Sequence, residues 1–225
     1  MKKLFIILIT TGLISCDTNK KDKENNPVSN FQKQIIKEGL TGSNSAMIYK
    51  DGEILYNEAV NSSEIGDKDI NSKTIFAIHS MSKTITTVAM MILLDRNLFN
   101  LNDNLSKYLP EYENINCKND DGIYPCKNKL NKLKIIHLLS HRSGYTYYAR
   151  SGKNWLTTTY TDLFPDFINT SRFNNLDDFS KAVAKIPLDF EPGSMYTYGL
   201  NQAILGRLIE VISGKSFYTF LNENI

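Results

Sequence analysis

An excess of charge of one sign is missing from this chain of 225 residues, where 26 basic side chains face 24 acidic ones for a formal net charge of +2. Nucleic-acid binders gather lysine and arginine against phosphate, so no nucleic-acid partner is expected. Long hydrophobic runs are also scarce: the apolar stretch near the N-terminus, Leu4 to Leu13, falls well short of the ~20 residues of a spanning helix. Cysteine occurs only as Cys16, Cys117 and Cys126, without the paired spacing of a zinc site. Histidine occurs only as His79, His137 and His141. The last two stand four apart, as helical metal ligands do, but no H-E-x-x-H pattern or adjacent acidic ligand accompanies them. A structural role in their turn is expected, and no metal. The absence of G-x-S-x-G excludes the nucleophile elbow of α/β-hydrolases. Without G-x-G-x-x-G or a phosphate loop, a nucleotide or other cofactor has no motif to hold it.

The N-terminus does carry a signal. Lys2 and Lys3 precede the short apolar run, the pattern of a secretory leader. It closes on Leu13-Ile14-Ser15-Cys16, which resembles the lipobox of bacterial lipoproteins. That resemblance implies cleavage before Cys16 and a lipid on it, giving a signal peptide over 1–16 and an extracytoplasmic protein of the bacterial cell envelope, held to the membrane by its anchor. The alternative is a plain cleaved signal with an incidental cysteine. Residues 17–30, rich in Lys, Asp, Glu and Asn, offer no apolar period and are read as a polar tether. The folded domain is expected over 31–225. In an oxidising compartment Cys117 and Cys126, which flank the polar stretch Lys118 to Pro125, either form a local disulfide contributing about 2 to 3 kcal/mol or remain surface thiols.

Within the domain a short helix is expected from near Phe31 to Gly39. Ala46 to Tyr49 and Glu53 to Val60 flank Lys50-Asp51-Gly52, the signature of a hairpin. From Met81 the apolar residues recur at helical spacing, with Met90, Met91 and Leu93 filling the intervening positions, which predicts a buried helix. Further helices are predicted around Ile135 to Ser140, Leu176 to Ala184 and Gln202 to Ile212, the last closing at Ser213-Gly214. Ser216 reads as the cap of another helix. Strands come first, then mostly helix, an α+β arrangement.

Ser80-Met81-Ser82-Lys83 is the only S-x-x-K in the chain. A serine in the first turn of a helix lies where free N–H groups and the helix dipole favour negative charge, as on an acyl-transfer oxyanion. Lys83 falls on the same face. Loss of hydration in an apolar helix favours its neutral amine, which can take a proton from the serine hydroxyl. The plainer alternative is a capping serine and a snorkelling lysine.

Several blocks widen the match. Thr74 to Lys83 is similar to the approach to the nucleophile in the penicillin-binding-protein and class C beta-lactamase superfamily of serine hydrolases. The segment from Leu98 to Tyr112, with Leu105-Ser106-Lys107-Tyr108-Leu109-Pro110, resembles the stretch after its catalytic helix. Ile136-His137-Leu138-Leu139-Ser140-His141-Arg142-Ser143-Gly144 resembles its H-L-L-S/T-H-x-S-G stretch, and Glu191-Pro192-Gly193 to Gly206 resembles the block holding its tyrosine. The resemblance covers about residues 40 to 225, in order. It implies a beta-lactamase/transpeptidase-like fold with an antiparallel-sheet subdomain, a helical subdomain and a groove between them. It implies that Ser80 attacks a carbonyl, that Lys83 accepts its proton and that Tyr198, its phenol ionisation eased by Lys83, relays a proton to the leaving group.

Two departures from the family pattern matter. Leu200 stands where penicillin-recognising members often carry Asn, so it cannot hydrogen-bond a substrate amide, and Asn201 is adjacent. Both are placed as candidate substrate-lining residues, and ester or amide hydrolysis is favoured over beta-lactam turnover. The family's K-T-G or H-T-G strand is absent, so the fold is expected to be incomplete at the C-terminus. An uncovered hairpin would then favour association of the isolated chain. The expected function is an envelope-anchored hydrolase forming an acyl-enzyme on Ser80 with an ester, amide or peptide, D-amino-acid or beta-lactam substrates included. The alternative is a noncatalytic or acylation-only sensor of the same fold. Tyr145, Tyr147, Tyr148, Trp155, Tyr160, Phe164, Phe167 and Phe173 either line a groove or pack the helical core.

Overall fold

Asn26 opens the folded chain as a helix cap, its side chain accepting the Val28 N–H at 2.9 Å, and Pro27 takes the first helical position, where its missing N–H costs nothing. The computed structural model describes residues 26–119, 121–126, 132–146 and 173–225. The leader with Cys16, most of the tether, and Tyr147, Tyr148, Trp155, Tyr160, Phe164 and Phe167 lie outside the described residues. The chain divides into two compact units, Met1–Ala77 and Ile78–Ile225.

In the first unit α1 (Pro27–Lys37) begins earlier than the expected Phe31, because the Asn-Pro cap reaches back into what read as tether. Antiparallel strands β1 (Asn44–Lys50) and β2 (Glu53–Val60) come next. Asp51 and Gly52 join them at φ 50° and 88°, the doubly positive geometry of a two-residue turn matched to strand twist. Buried Gln32 of α1 donates to Asn44 Oδ1 at 2.8 Å and accepts from the Tyr56 hydroxyl, tying helix to hairpin. Asp67 pins the segment after β2 to the start of β1, accepting from Ser43 Oγ at 2.8 Å and from Ser62 Oγ at 2.5 Å. These bonds, led by that from Ser62, pull its carboxyl well below the usual carboxylate range. Met47, Ile48, Tyr49, Ile54 and Leu55 of the hairpin are exposed.

The second unit opens on a 3-10 turn, His79–Met81, that runs into α2 (Ser82–Asp95). After two further 3-10 turns come β3 (Asn116–Asn119) and β4 (Gly122–Pro125), then α3 (Ile135–Leu139), α4 (Leu176–Val183), α5 (Asn201–Ser213) and α6 (Phe217–Asn224). Helix α5 ends on Gly214 in the left-handed conformation, and Ser216 caps α6 by accepting the Thr219 N–H, as expected. The core surrounds α5, which packs on α2, α3, α4 and α6; Ile204, Leu205, Leu208 and Ile209 are fully buried in it with Met90, Leu93, Leu138 and Phe220. The architecture is α+β.

One expectation changes. Helix α2 is not buried all round: Thr86, Ala89, Met90 and Leu93 face the core, while Val88 and Met91 are exposed. Its apolar residues outnumber those that α5 can cover on one stripe, so composition overstated its burial. Of the two states offered for Cys117 and Cys126 the structure has the disulfide, and the polar stretch between them forms the hairpin β3–β4. Leu188 flanks β3 on its other side, exchanging backbone bonds with Asn116 and Lys118 at 2.8 Å. No helix among the described residues is long and apolar enough to cross a membrane.

If α5 is the centre of the core, Leu208→Ala, at a side chain with no exposed surface, should cost about 2 to 5 kcal/mol. Val211→Ala, at a 38% exposed position of the same helix, should change stability by less than about 1 kcal/mol. Urea unfolding of both variants checks the contrast.

Candidate active site

Ser80 lies in the 3-10 turn ahead of α2, and the turn is held by its neighbours. The Met81 N–H donates to Ile78 O at 3.0 Å and the Ser82 hydroxyl to His79 O at 2.6 Å. His79, next to Ser80, sits at φ 45°, a left-handed conformation that is uncommon outside glycine. The Ser80 hydroxyl caps nothing. Its Oγ instead accepts from Lys83 Nζ at 3.2 Å and from the Tyr198 hydroxyl at 2.8 Å, which sets aside the capping serine and snorkelling lysine. The three candidate residues therefore converge, all within the second unit, and Ser80 and Tyr198 are open to solvent.

Lys83 reaches Ser80 because three residues along a helical start return to the same face. Tyr198 arrives from far along the chain, just before α5, and its placement depends on a close backbone crossing. A Cβ on Gly199 would fall 2.0 Å from Tyr145 O and 2.6 Å from Thr146 Cα, so only glycine allows this segment to lie on the turn at 141–146. The crossing is stitched by Thr197 N–H to His141 O and Gly193 N–H to Arg142 O, both 2.8 Å, and by the Arg142 guanidinium on Gly193 O.

Electrostatics complete the triangle. The Lys83 ammonium lies 4.8 Å from the centroid of the Tyr198 ring. Its hydrogen bond, then that of Ser80, lowers the Tyr198 phenol from its ordinary value. His141 stacks on Tyr198 with centroids 5.0 Å apart and planes 28° apart, and Tyr196 meets the imidazole edge-on with centroids 6.1 Å apart. Burial, and then the charge of Lys83, holds His141 toward its neutral form. His137 keeps the structural role expected of it: Nδ1 accepts the Lys134 N–H at 3.2 Å and the ring packs on Gly193. Burial first, then the charges of Lys134 and Arg142, pushes His137 down to about 4.

Asn201 does not line a substrate groove. It is fully buried at the start of α5, its amide lying 2.9 Å from His141 Nδ1 and its oxygen accepting from the Ser143 hydroxyl. One helical step turns it away from Ser80 and into the protein. Leu200 is half-buried and packs on the core. Sequence reasoning left His141 and Ser143 out of the site. Their signal was the Ser140-His141-Arg142-Ser143-Gly144 stretch, but nothing in the chain order indicates that this turn meets Tyr198. Among the described residues, Cys117, Cys126 and Glu191 bring three potential metal ligands together, but the two sulfurs are joined in the disulfide and have no thiolate to offer.

The sequence model of the family described as beta-lactamase matches residues 32–225. Esterase EstB of Burkholderia gladioli is 30% identical over 188 residues, covering 82% of this chain and 44% of that protein. The solved structure of EstCE1, a hydrolase with promiscuous acyltransferase activity, superposes with a TM-score of 0.70 at 26% identity, over 87% of this chain and 49% of that one. A penicillin-binding protein from Bacillus halodurans shares the fold with a TM-score of 0.60 at 24% identity, over 85% of this chain and 53% of that one. The chain thus spans about half the length of the relatives it matches.

Gly199→Ala should push Tyr198 away from Ser80 and reduce reactivity of Ser80 toward a fluorophosphonate by about 100-fold, the scale of an ångström misplacement, as read by intact mass over time. His137 binds a proton more weakly folded, at about 4, than at its ordinary 6.5. The unfolded chain therefore holds more protons between those values, and stability should fall as pH drops from 6.5 toward 4. Denaturation midpoints across that window should decline less steeply in His137→Gln.

Proposed function

From the premise that this chain belongs to the beta-lactamase family, we propose that it is a serine hydrolase whose acyl-enzyme forms on Ser80, with Tyr198 and Lys83 moving the proton. The observation that carries this reading is the convergence of Tyr198 and Lys83 on one hydroxyl oxygen, at 2.8 and 3.2 Å. In the proposed cycle Tyr198, its ionisation eased by Lys83, first releases its phenolic proton to solvent, and the phenolate then takes the Ser80 proton as Oγ bonds to the carbonyl carbon. The carbonyl oxygen becomes an oxyanion near the N-terminal end of α2, where backbone dipoles favour negative charge. Collapse breaks the bond to the leaving group, which takes the proton back from Tyr198. Water then enters by the same route, releasing the acid and restoring Ser80. The phenol takes the first proton, in place of Lys83, because it is the nearer group and its ionisation is eased by Lys83.

An ester is the proposed substrate class. Leu200 offers no hydrogen bond to a substrate amide, and the relatives include an esterase and a hydrolase with acyltransferase activity. Lys2 and Lys3 ahead of the apolar run, with Cys16 closing it, support a second element of the proposal: extracytoplasmic attachment to a bacterial membrane through a lipid on Cys16, in the cell envelope.

The test is acylation followed by turnover. A fluorophosphonate should add to Ser80 and to nothing in Ser80→Ala, read by intact mass and peptide mapping. A p-nitrophenyl ester should be hydrolysed continuously, and Tyr198→Phe should lower kcat by about 100-fold or more, the range for loss of a general base. Labelling without turnover would make the protein an acylation-only sensor, and no labelling of the folded chain would sink the hydrolase reading. Metabolic labelling with a fatty acid should be lost in Cys16→Ser.

A further inference from the structure

His141 is the strongest feature of the site that the acyl-transfer cycle leaves without a role. Its backbone is held at φ 54°, a left-handed conformation that is unfavourable for a non-glycine residue and persists only where surrounding contacts enforce it. The enforcing contacts form a directed chain of hydrogen bonds. The Tyr145 N–H donates to Ser143 Oγ at 3.0 Å, so the Ser143 hydroxyl proton is directed onward to Asn201 Oδ1. With its oxygen occupied, Asn201 presents its NH2 group to His141 Nδ1 at 2.9 Å. Ser143 and Asn201 have no exposed surface, so neither can turn to water for another partner.

This chain leaves His141 one state. Nδ1 must accept, the proton sits on Nε2, and protonating the ring would set two donors against each other in a buried network. The neutral imidazole stacks against Tyr198, on whose phenol Lys83 and Ser80 converge, and Tyr196 packs edge-on against the same imidazole. A ring so placed blocks the phenol from swinging toward the turn and adds no positive charge beside that of Lys83.

We propose that His141 is a positioning residue for Tyr198: its imidazole, locked by Asn201 and Ser143, is the wall that keeps the phenol oxygen on Ser80 and within reach of Lys83. The role rests on the hydrolase reading for its purpose but not for its physical test. It also gives Asn201 its place in the site, as the residue that fixes the imidazole rather than one that meets the substrate.

The test isolates the phenol of Tyr198 by ultraviolet difference titration of the chain against Tyr198→Phe. Tyr198 should titrate below the ordinary tyrosine value of ~10. In His141→Ala, shown to be folded by circular dichroism, that titration should move up toward the ordinary value as the phenol drifts from Lys83. His141→Phe, which keeps a flat ring, should restore most of the native value. With a p-nitrophenyl ester, His141→Ala should lower kcat by about 10- to 100-fold with a smaller change in KM, and shift the acid limb of the pH profile upward. An unchanged Tyr198 titration and kcat in His141→Ala would overturn the proposal, and so would a His141→Phe variant as impaired as the alanine. If Ser80 fails to acylate, the hydrolase reading falls, while the titration still decides the role of His141.

Discussion

Two backbone segments that are distant in sequence touch where Gly199 lies on Tyr145 and Thr146, and the site depends on that contact. A Cβ at Gly199 would fall 2.0 Å from a carbonyl oxygen, well inside any van der Waals separation. Contact at that range lets the bonds from Thr197 and Gly193 to the 141–142 turn form together. The stitched pair then carries Tyr198 to one side of Ser80 and feeds directly into α5, whose buried face organises the core. A local demand for glycine thus links the chemistry to the packing.

Charge is distributed around Ser80 so that one cation dominates. Lys83 donates to the nucleophile and sits near the face of the phenol, while the two histidines of the neighbouring turn are held toward their neutral forms by burial and nearby cations. His137 accepts a backbone N–H, and His141 faces the amide of Asn201. Of Tyr198, His137 and His141, the phenol is the one moved toward its anionic form, by hydrogen bonds from Lys83 and Ser80. Groups whose protonation states are pushed in different directions by their environments are what proton transfer near neutral pH requires.

Away from the site, covalent and polar ties hold elements that bury few apolar side chains. The β3–β4 hairpin has short strands, and its disulfide and its bonds to Leu188 secure it to the core through Cys117, which is fully buried. In the first unit, Gln32 and Asp67 hold helix and loop to a hairpin on which Met47, Ile48, Tyr49, Ile54 and Leu55 are exposed.

Much of this was legible in the residue order alone. Asp51-Gly52 forms the turn, Gly214 ends α5, Ser216 begins α6 and Ser80 precedes α2 with Lys83 on its face, because turns, caps and helical spacing are decided within a few residues. The match of several motif blocks also identified Tyr198 as the third member of the site. Local pattern misjudged what depends on neighbours: α2 has one exposed side because α5 covers only one stripe, and Asn201 is buried because the helix starting there turns it inward. The stacking of His141 on Tyr198, like the strand edge at Leu188, joins residues that the chain order does not pair, whereas the Cys117–Cys126 disulfide was one of the two states the sequence offered. Sequence determined which residues could do chemistry and where helices and turns begin and end, since those choices are made by short-range sterics and hydrogen bonding. Tertiary structure decided which of them meet, because a contact between distant segments depends on how the whole core packs.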